Sequence, residues 1–575
     1  MRTAAAFDQG GFQDAGAFRP LTEAGLPAGP AVQTRDLLTA IGEAEKSGGP
    51  RWVWPATADI APGLLRHGVS VERCHDLTLT EGLLLGYEGR WGEPRSLGAA
   101  WARLHGLPVP EDHGEGTLTA PTDGPGAQPA LFEPDRTGLP PDVEPLDAAL
   151  AVHADQQRRI AATADPARFR LLVAAESASA LASAEMSHAG LPWRADVHGE
   201  LLTQILGPRP LDGLPPPELV AASARLAAAL GVRALNADSP SQVTKAFADL
   251  GIRLTSTRAW ELKEIDHPAA PLLIKYKELS RLHAANGWSW VDTWVHAGRF
   301  RPEYTVGGVV SGRWAARGGG ALQLPRHLRR AVIADPGWVF VVADAAQLEP
   351  RVLAALSGDK GMAEATKSDD MYSALAGLFD NSRAQAKVGL LAAMYGQTSG
   401  VAAAPLALMR RRFPAATAYV EDAAREGERG RVVRSHLGRT CPPPSEGWQA
   451  AIAGDGDVES DPDTDLNRRS GQAARARGRF TRNFVIQATA AEWAEVLLAL
   501  LRQRLRSLAA DQSSVAELVF FQHDEVVVHC PRDEAADIEA AVRGAASDAG
   551  RLVFVDTPVR FPMSINTVEC YGDAK

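Results

Sequence analysis

Between Arg51 and about Leu107 apolar and polar residues alternate in short bursts. "RWVW" has the spacing of a strand, and "PGLLRHG" and "TEGLLLGYEG" have that of helices, which predicts a small α/β unit. From 108 to 145 the pattern lapses into Pro, Gly and acids, as in a linker or long loop. Helical spacing of Ala, Leu, Arg and Glu then runs from about Leu146 to Leu282; ahead of "QVTKAFADLGI", Ser239 or Ser241 offers a helix cap. Beyond Tyr304 the runs "WVFVVAD", "VFFQ" and "VVVHC" read as strands among long helices, so the C-terminal half is expected to be α+β.

Three of these runs carry polar chemistry. "WVFVVADAAQLEPRVLAALSGD" is a buried-type strand leading through Asp344 into a helix. A carboxylate there sits on a rigid mount at a cleft, although strand-ending Asp residues also serve as helix caps. "FFQHDEVVVHC" folds back as a hairpin with His523, Asp524 and Glu525 at or near its tip. Two acids brought together raise each other's pKa unless a divalent cation neutralises them, and Mg²⁺ needs only one or two carboxylates plus substrate phosphates. In "RAQAKVGLLAAMYG", Arg383, Lys387, Leu391 and Tyr395 recur every four residues along one helical stripe. Two cations suit a polyphosphate and the apolar pair suits a sugar and base; a solvated basic face with core Leu and Tyr has the same spacing.

Composition sets few further bounds. The 575 residues, 45% hydrophobic and 23% charged, are those of an ordinary globular chain of several domains. A net charge of −10 argues mildly against nucleic acid, but the charge is segregated. Ser311 to Ala334 holds Arg313, Arg317, Arg326, Arg329 and Arg330 without an acid, while Asp455 to Asp465 gathers acids without a base. That acidic run lacks the Gly and closing Glu of a calcium loop and is expected to be a solvated surface loop. Cys74, Cys441, Cys530 and Cys570 form no C-x-x-C pair, so neither a disulfide framework nor a zinc site is expected. No signal-like start or membrane-length apolar run is read, so a cytoplasmic, nucleoid-associated protein is expected, with no membrane partner and no obligate oligomer.

Taken together the three runs resemble the polymerase domain of family A DNA polymerases, the bacterial DNA polymerase I family. The carrying residues are Asp344, Gln347, Glu349 and Arg351; Arg383, Lys387, Tyr395 and Gly396; and His523, Asp524 and Glu525. Weaker agreement comes from "IKYKELSRL", "SGRW", "LGRT" and "RFTRNFVIQATAAEW", and the likeness covers roughly Glu185 to the C-terminus. It implies an α+β right hand of palm, fingers and thumb over 161–575, the thumb about 185–300 and palm and fingers about 301–575.

By this resemblance Asp344 and Asp524 hold two Mg²⁺ ions, with Mn²⁺ a possible substitute. Arg383 and Lys387 grip the dNTP phosphates, and Gln347, Glu349, Leu391 and Tyr395 complete the dNTP site, Glu349 hydrogen-bonding Tyr395 and excluding a ribose 2′-hydroxyl. Arg313, Arg479, Asn483, Gln487 and His523 touch primer-template DNA. The implied activity is template-directed DNA synthesis in repair or replication. A non-catalytic DNA-binding scaffold and an RNA polymerase of related architecture are the competing readings.

The departures are Ala345 and Ala346 after the first catalytic Asp, Pro350 after Glu349, Leu391 for an aromatic residue, and "AARGGGALQLP" after "SGRW". Residues 1–160 resemble a small α/β, ribonuclease H-like 3′–5′ exonuclease domain, without room for a 5′-nuclease. Only Asp59 and Asp155 match its metal acids, Ala151 stands in place of its Tyr, and no Asp-x-Glu precedes Asp59, so a degenerate, structural domain is expected.

Overall fold

The computed structural model describes residues 2–8, 14–112, 138–211, 213–396, 403–453, 465–512 and 515–574. Most of the Pro/Gly-rich segment (113–137) and nearly all of the acidic run (454–464) lie outside these residues.

The first sheet is mixed, in the order β3-β2-β1-β4-β5: β1 (Arg2–Phe7), β2 (Gly16–Leu21), β3 (Val32–Thr34), β4 (Arg51–Trp54) and β5 (Arg73–Asp76). β1, β2 and β3 pair antiparallel, whereas β1, β4 and β5 run parallel. Three strands thus precede the α/β pattern read from Arg51. "RTAAAF" forms β1 because its small side chains let helices approach both faces: Ala4 and Ala6 pack with Leu97, Leu146 and Val152, and Ala5 packs with Ile41, Trp52 and Trp54. Helix Thr57–Arg66 crosses from β4 to β5, and helix Leu77–Tyr87 follows β5 with Asp76 as its cap, accepting from Leu79 N at 2.9 Å.

Helices Pro145–Ala161 and Pro166–Ala189 then lead into the larger half. A cluster of helices (Ala195–Leu206, Pro217–Ala229, Pro240–Asp249, Ala269–Asn286) packs around Phe247, Leu273 and Tyr276. Ser239 caps the third of them, accepting from Gln242 N at 3.5 Å. A short ribbon β6 (Leu191–Pro192), β8 (Arg299–Phe300), β7 (Val295–His296) and a pair β9 (Glu303–Thr305), β10 (Ala315–Gly318) lead to the second sheet.

That sheet is antiparallel, in the order β12-β13-β11-β14: β11 (Trp338–Ala345), β12 (Glu517–Gln522), β13 (Glu525–Pro531) and β14 (Met563–Val568). The unbroken apolar run of β11 follows from burial on both faces. Val339, Val341 and Ala343 point to the core shared with helices Arg383–Tyr395 and Asp465–Gln512, and Phe340 and Val342 point to the core shared with Leu273 and Tyr276.

Helix Asp465–Gln512 is the spine of the larger half. Within Ser470–Ala510 it contains a window long and apolar enough to cross a membrane, contrary to the sequence expectation, but 83% of that window is buried inside the protein, as in a core helix. Its Arg502 forks onto Glu185 at 2.7 and 2.6 Å and donates to Glu72 O at 2.7 Å and to Val71 O, tying the loop before β5 to the spine. Cys74, Cys441 and Cys530 are buried thiols and Cys570 is half-buried.

Candidate active site

The chemistry-bearing residues converge on one end of the second sheet. Asp344 is the penultimate residue of β11, and the register places it opposite Glu525 of β13 and Ser564 of β14. Gln522 pairs with Glu525, so His523 and Asp524 alone make the turn of a two-residue hairpin. His523 has φ +60°, a left-handed conformation that glycine normally fills in such turns. The Asp524 carbonyl accepts from Ala345 N at 3.1 Å, which locks the hairpin tip beside the end of β11. The two carboxylates expected to work together are therefore mounted on neighbouring backbone, both half-buried at the sheet's rim.

Glu525 belongs to the strand rather than the tip, is 3% exposed, and shares a sheet face with Asp344. Like charges directly opposite each other cost stability. The offset comes from Arg329, whose Nη1 donates to Glu525 at 3.2 Å while its Nη2 donates to Gln522 Oε1 at 3.0 Å. Tyr571 donates its hydroxyl to the same Glu525 oxygen and lies under the Arg329 guanidinium at 4.4 Å; burial and then the Glu525 charge push its phenol pKa up. Glu525 is a buried support of the turn and does not face water.

Helix Arg383–Tyr395 presents the predicted stripe. Arg383 and Lys387 are exposed, Leu391 and Tyr395 half-buried, with Ser382 as N-cap and Gly396 (φ +72°) closing the C-terminus. Arg383 Nε donates to Asp370 Oδ2 at 2.7 Å, and its guanidinium lies 5.5 Å from the Tyr372 ring. Gln347, the N-cap of helix Leu348–Ser357 at φ +51°, accepts from Met371 N at 2.9 Å, so the strand-to-helix turn is fastened to the Asp370 segment that holds Arg383.

Glu349 bridges the halves of the cleft. It accepts from the Tyr395 hydroxyl with one oxygen and from Arg313 with the other. Burial first, then the Glu349 carboxylate, raises the Tyr395 pKa, so the phenol keeps the proton it donates. Arg313, expected at the DNA, is here the ion-pair partner of Glu349. Its segment "SGRW" abuts "LGRT": at Gly312 (φ +83°) a Cβ would lie 2.4 Å from Arg439 Nε, and Trp314 meets Phe521 of the hairpin edge-on at 4.9 Å.

On the spine helix, residues 481–498 are buried except Asn483 and Gln487. With exposed Arg479 they form the i, i+4, i+8 line read from the sequence, and Gln487 reaches the Tyr395 hydroxyl. His523 is exposed at the hairpin tip; crowding by protein and then Arg313 and Arg329 lower its pKa, favouring the neutral ring.

Two supports have structural roles that the sequence motifs containing them did not reveal. Arg351, wholly buried, donates to the carbonyls of Ala346, Thr366, Ser368, Asp369 and Arg560, so one guanidinium stitches the turn after Asp344 to two distant loops. Beneath the cleft Arg439 pairs with Glu176 and lies 3.4 Å from Glu495, and Glu492 accepts from Ser435 and from Leu437 N. One arginine faces three buried carboxylates; burial pushes Glu492 up to about 7, and burial followed by the Glu176 charge pushes Glu495 up as well.

The residues matched in the N-terminal unit are placed differently. Asp59 is exposed in the first turn of helix Thr57–Arg66, and Asp155 pairs with Arg158 and with Arg159 at 3.3 Å on helix Pro145–Ala161. Arg159 itself binds buried Glu81 at 2.9 Å and Glu88 at 2.7 Å.

Comparison with known proteins bears on this geometry. The model of DNA polymerase family A matches residues 217–569. The thermostable DNA polymerase I of Thermus thermophilus is 27% identical over 325 residues, 51% of this chain and 36% of the relative. DNA polymerase I of Chloroflexus aurantiacus is 26% identical over 348 residues, 55% of this chain and 33% of the relative. The chain thus spans about a third of the length of these curated relatives. Among solved structures, the POL domain of Pol1 from M. smegmatis, in complex with DNA primer-template and dNTP, matches with a TM-score of 0.70 at 18% identity. That match covers 100% of this chain and 95% of the other, a likeness of fold.

Proposed function

This chain belongs to DNA polymerase family A, and from that premise we propose that it is a template-directed DNA polymerase extending a primer 3′-hydroxyl with dNTPs. The observation that carries the reading is the joining of Asp344 to the Asp524 hairpin tip, in a molecule whose Arg383–Tyr395 stripe is tied back to the same turn through Gln347 and Glu349.

The donor set fits Mg²⁺. Two neighbouring carboxylates are hard oxygen donors, and among the described residues no group of three His, Cys, Asp or Glu forms an all-protein cage. Mg²⁺ in phosphoryl-transfer sites is held in this way, by one or two carboxylates with substrate phosphates and water completing the shell. Asp344 and Asp524 would hold the ions, which supply Lewis-acid stabilisation of charge on the transferring phosphate.

The chain's own residues do the rest. Arg383 and Lys387 take the triphosphate. The Arg383–Asp370 pair is mostly exposed and worth about 1 kcal/mol or less, so the guanidinium is readily handed to a polyphosphate. The Tyr395 hydroxyl, fixed on Glu349, closes the sugar side of the site, and Glu349 occupies the space of a ribose 2′-hydroxyl. Asn483, Gln487 and Arg479 meet primer and template along the spine helix. The neutral ring of His523 donates to the primer-terminal phosphate. Most other DNA contacts are to phosphates. Residues 1–160 are read as an exonuclease-like domain serving as structure, because Asp155 is committed to its arginines.

Primer extension with Mg²⁺ and either dNTPs or rNTPs tests this. Wild-type protein extends with dNTPs, and Glu349→Ala raises rNTP incorporation relative to dNTP by roughly 10²-fold. Failure of the wild type to extend any primer it binds returns the chain to the scaffold reading, and rNTP preference in the wild type removes the role given to Glu349.

A further inference from the structure

Away from that cleft, the first sheet and the helix leading out of it enclose a cavity of about 170 Å³. Arg2 and Arg51, the first residues of β1 and β4, sit side by side in register at its mouth. His75 of β5, His153 and Gln157 of helix Pro145–Ala161 and Arg170 of helix Pro166–Ala189 add to the polar lining. This is the N-terminal edge of the parallel strands. Asp76 ends β5 at the opposite, C-terminal edge, and Asp59 lies on the helix that follows β4.

The lining is cationic and holds no ion pair. Among the described residues no carboxylate lies within ion-pair distance of Arg2, Arg51 or Arg170. Arg51 Nη1 donates to the Cys74 carbonyl at 3.2 Å, and the acids that Arg2 and Arg51 sense, Glu23 and Glu72, act only from further away. The larger cavity under the β6–β8 ribbon, about 430 Å³, also has three arginines, but Arg194, Arg299 and Arg532 are each paired, with Asp196, Asp335 and Glu569.

The smaller cavity also holds a fully buried imidazole without partners. His153 is 0% exposed and neither ring nitrogen has a hydrogen bond. It packs edge-on to His75 at 5.0 Å, and His75 Nε2 lies 3.1 Å from Gln156 Oε1. Burial, then the neighbouring His75 and Arg2, holds the His153 pKa down to about 3, so the ring is neutral and offers one N–H. Gly25 (φ +82°) packs against the imidazole: a Cβ there would lie 2.7 Å from His153 Cε1 and 3.8 Å from Arg2 Nη1.

Guanidiniums without carboxylates and a buried donor without an acceptor call for one kind of guest, a compact anion with several oxygens. The volume admits a phosphate group and excludes a polynucleotide. We propose that this cavity is a binding site for a phosphate dianion, free or as the monoester of a mononucleotide, held by Arg2, Arg51 and Arg170 with His153 donating. Bound there, the anion cross-links β1 and β4 to helix Pro166–Ala189 and so stiffens the junction between the first sheet and the rest of the chain.

The test is thermal melting of the full chain at matched ionic strength without divalent metal, titrated with inorganic phosphate and, separately, dAMP. It is run in an Arg383→Ala/Lys387→Ala background to silence the polymerase cleft. The expected result is a saturable rise in Tm, with affinity weakened at least roughly tenfold by Arg170→Gln and partly restored by Arg170→Lys. Arg170 is exposed, so its loss spares the core. A stronger response to dAMP makes the occupant a monoester, and a stronger response to inorganic phosphate makes it the free ion. No saturable shift with either anion, or affinity unchanged from the background protein in both Arg170→Gln and Arg51→Gln, overturns the site.

Discussion

The two sheets each end a strand on an aspartate that leads into a helix, and they use it in opposite ways. Asp76 at the end of β5 is 2% exposed and is the cap of the helix that follows, accepting from Leu79 N at 2.9 Å and from Thr57 N at 2.6 Å. Asp344 near the end of β11 is half-buried, and the cap position of its helix belongs to Gln347. The first carboxylate is committed to backbone donors. The second is left at the rim beside Asp524. Strand, acid and helix in succession do not specify chemistry; what decides is whether the helix takes the carboxylate for itself.

Substitution can break this comparison, most severely in the second sheet. Asp344→Ala or Asp524→Ala is expected to lower primer extension by roughly 10³-fold, several kcal/mol of transition-state stabilisation, while DNA binding measured by anisotropy persists. Loss of extension from Asp76→Ala at a temperature where that variant is folded would erase the distinction. The expected result there is a loss of stability of about 2 kcal/mol in denaturant titration, with extension intact, because two buried N–H groups lose their acceptor.

A third way of keeping an acid sharpens the contrast. Glu492 is buried with its pKa pushed up from 4.5 to about 7, so the folded state holds a proton that the unfolded state has released. Its contribution is fully favourable below about pH 4.5 and is lost as pH rises through about 7. Tm should therefore fall by a few degrees between pH 5 and 7.5, and Glu492→Gln should flatten that slope. Smallest of all, Asp155→Asn should change stability by about 1 kcal/mol or less and leave release of nucleotides from a single-stranded 3′ end at its wild-type level. A drop in such release would give the first sheet chemistry of its own.

Much of the second sheet was legible because its signals are local. The apolar run of β11, the four-residue stripe from Arg383 and the two-residue turn at His523 and Asp524 each lie within one short segment. β1 was not, because an alanine-rich strand runs against propensity and is justified only by the helices that pack on both its faces. Neither was the fate of Glu525: its partners Arg329 and Tyr571 lie far off in the chain, and nothing in "HDE" distinguishes a strand residue from a turn residue. Arg351 was visible as a residue but not as a hub, since the five carbonyls it serves have no side-chain signature. The apolar window of the spine helix is not a continuous apolar run, since polar positions such as Gln487 and Glu492 intersperse it.

Arg502 gives the first sheet a reach beyond its own fold. The guanidinium that grips Glu185 and the carbonyls of Val71 and Glu72 rides on the same rod that carries Gln487 to the Tyr395 hydroxyl. A chain clipped ahead of helix Pro166–Ala189 would keep every residue of the cleft yet leave that 4%-exposed side chain without its carbonyl partners, loosening the far anchorage of the rod. Damage to the N-terminal sheet would then be felt along the spine helix, a mechanical debt collected at a distance.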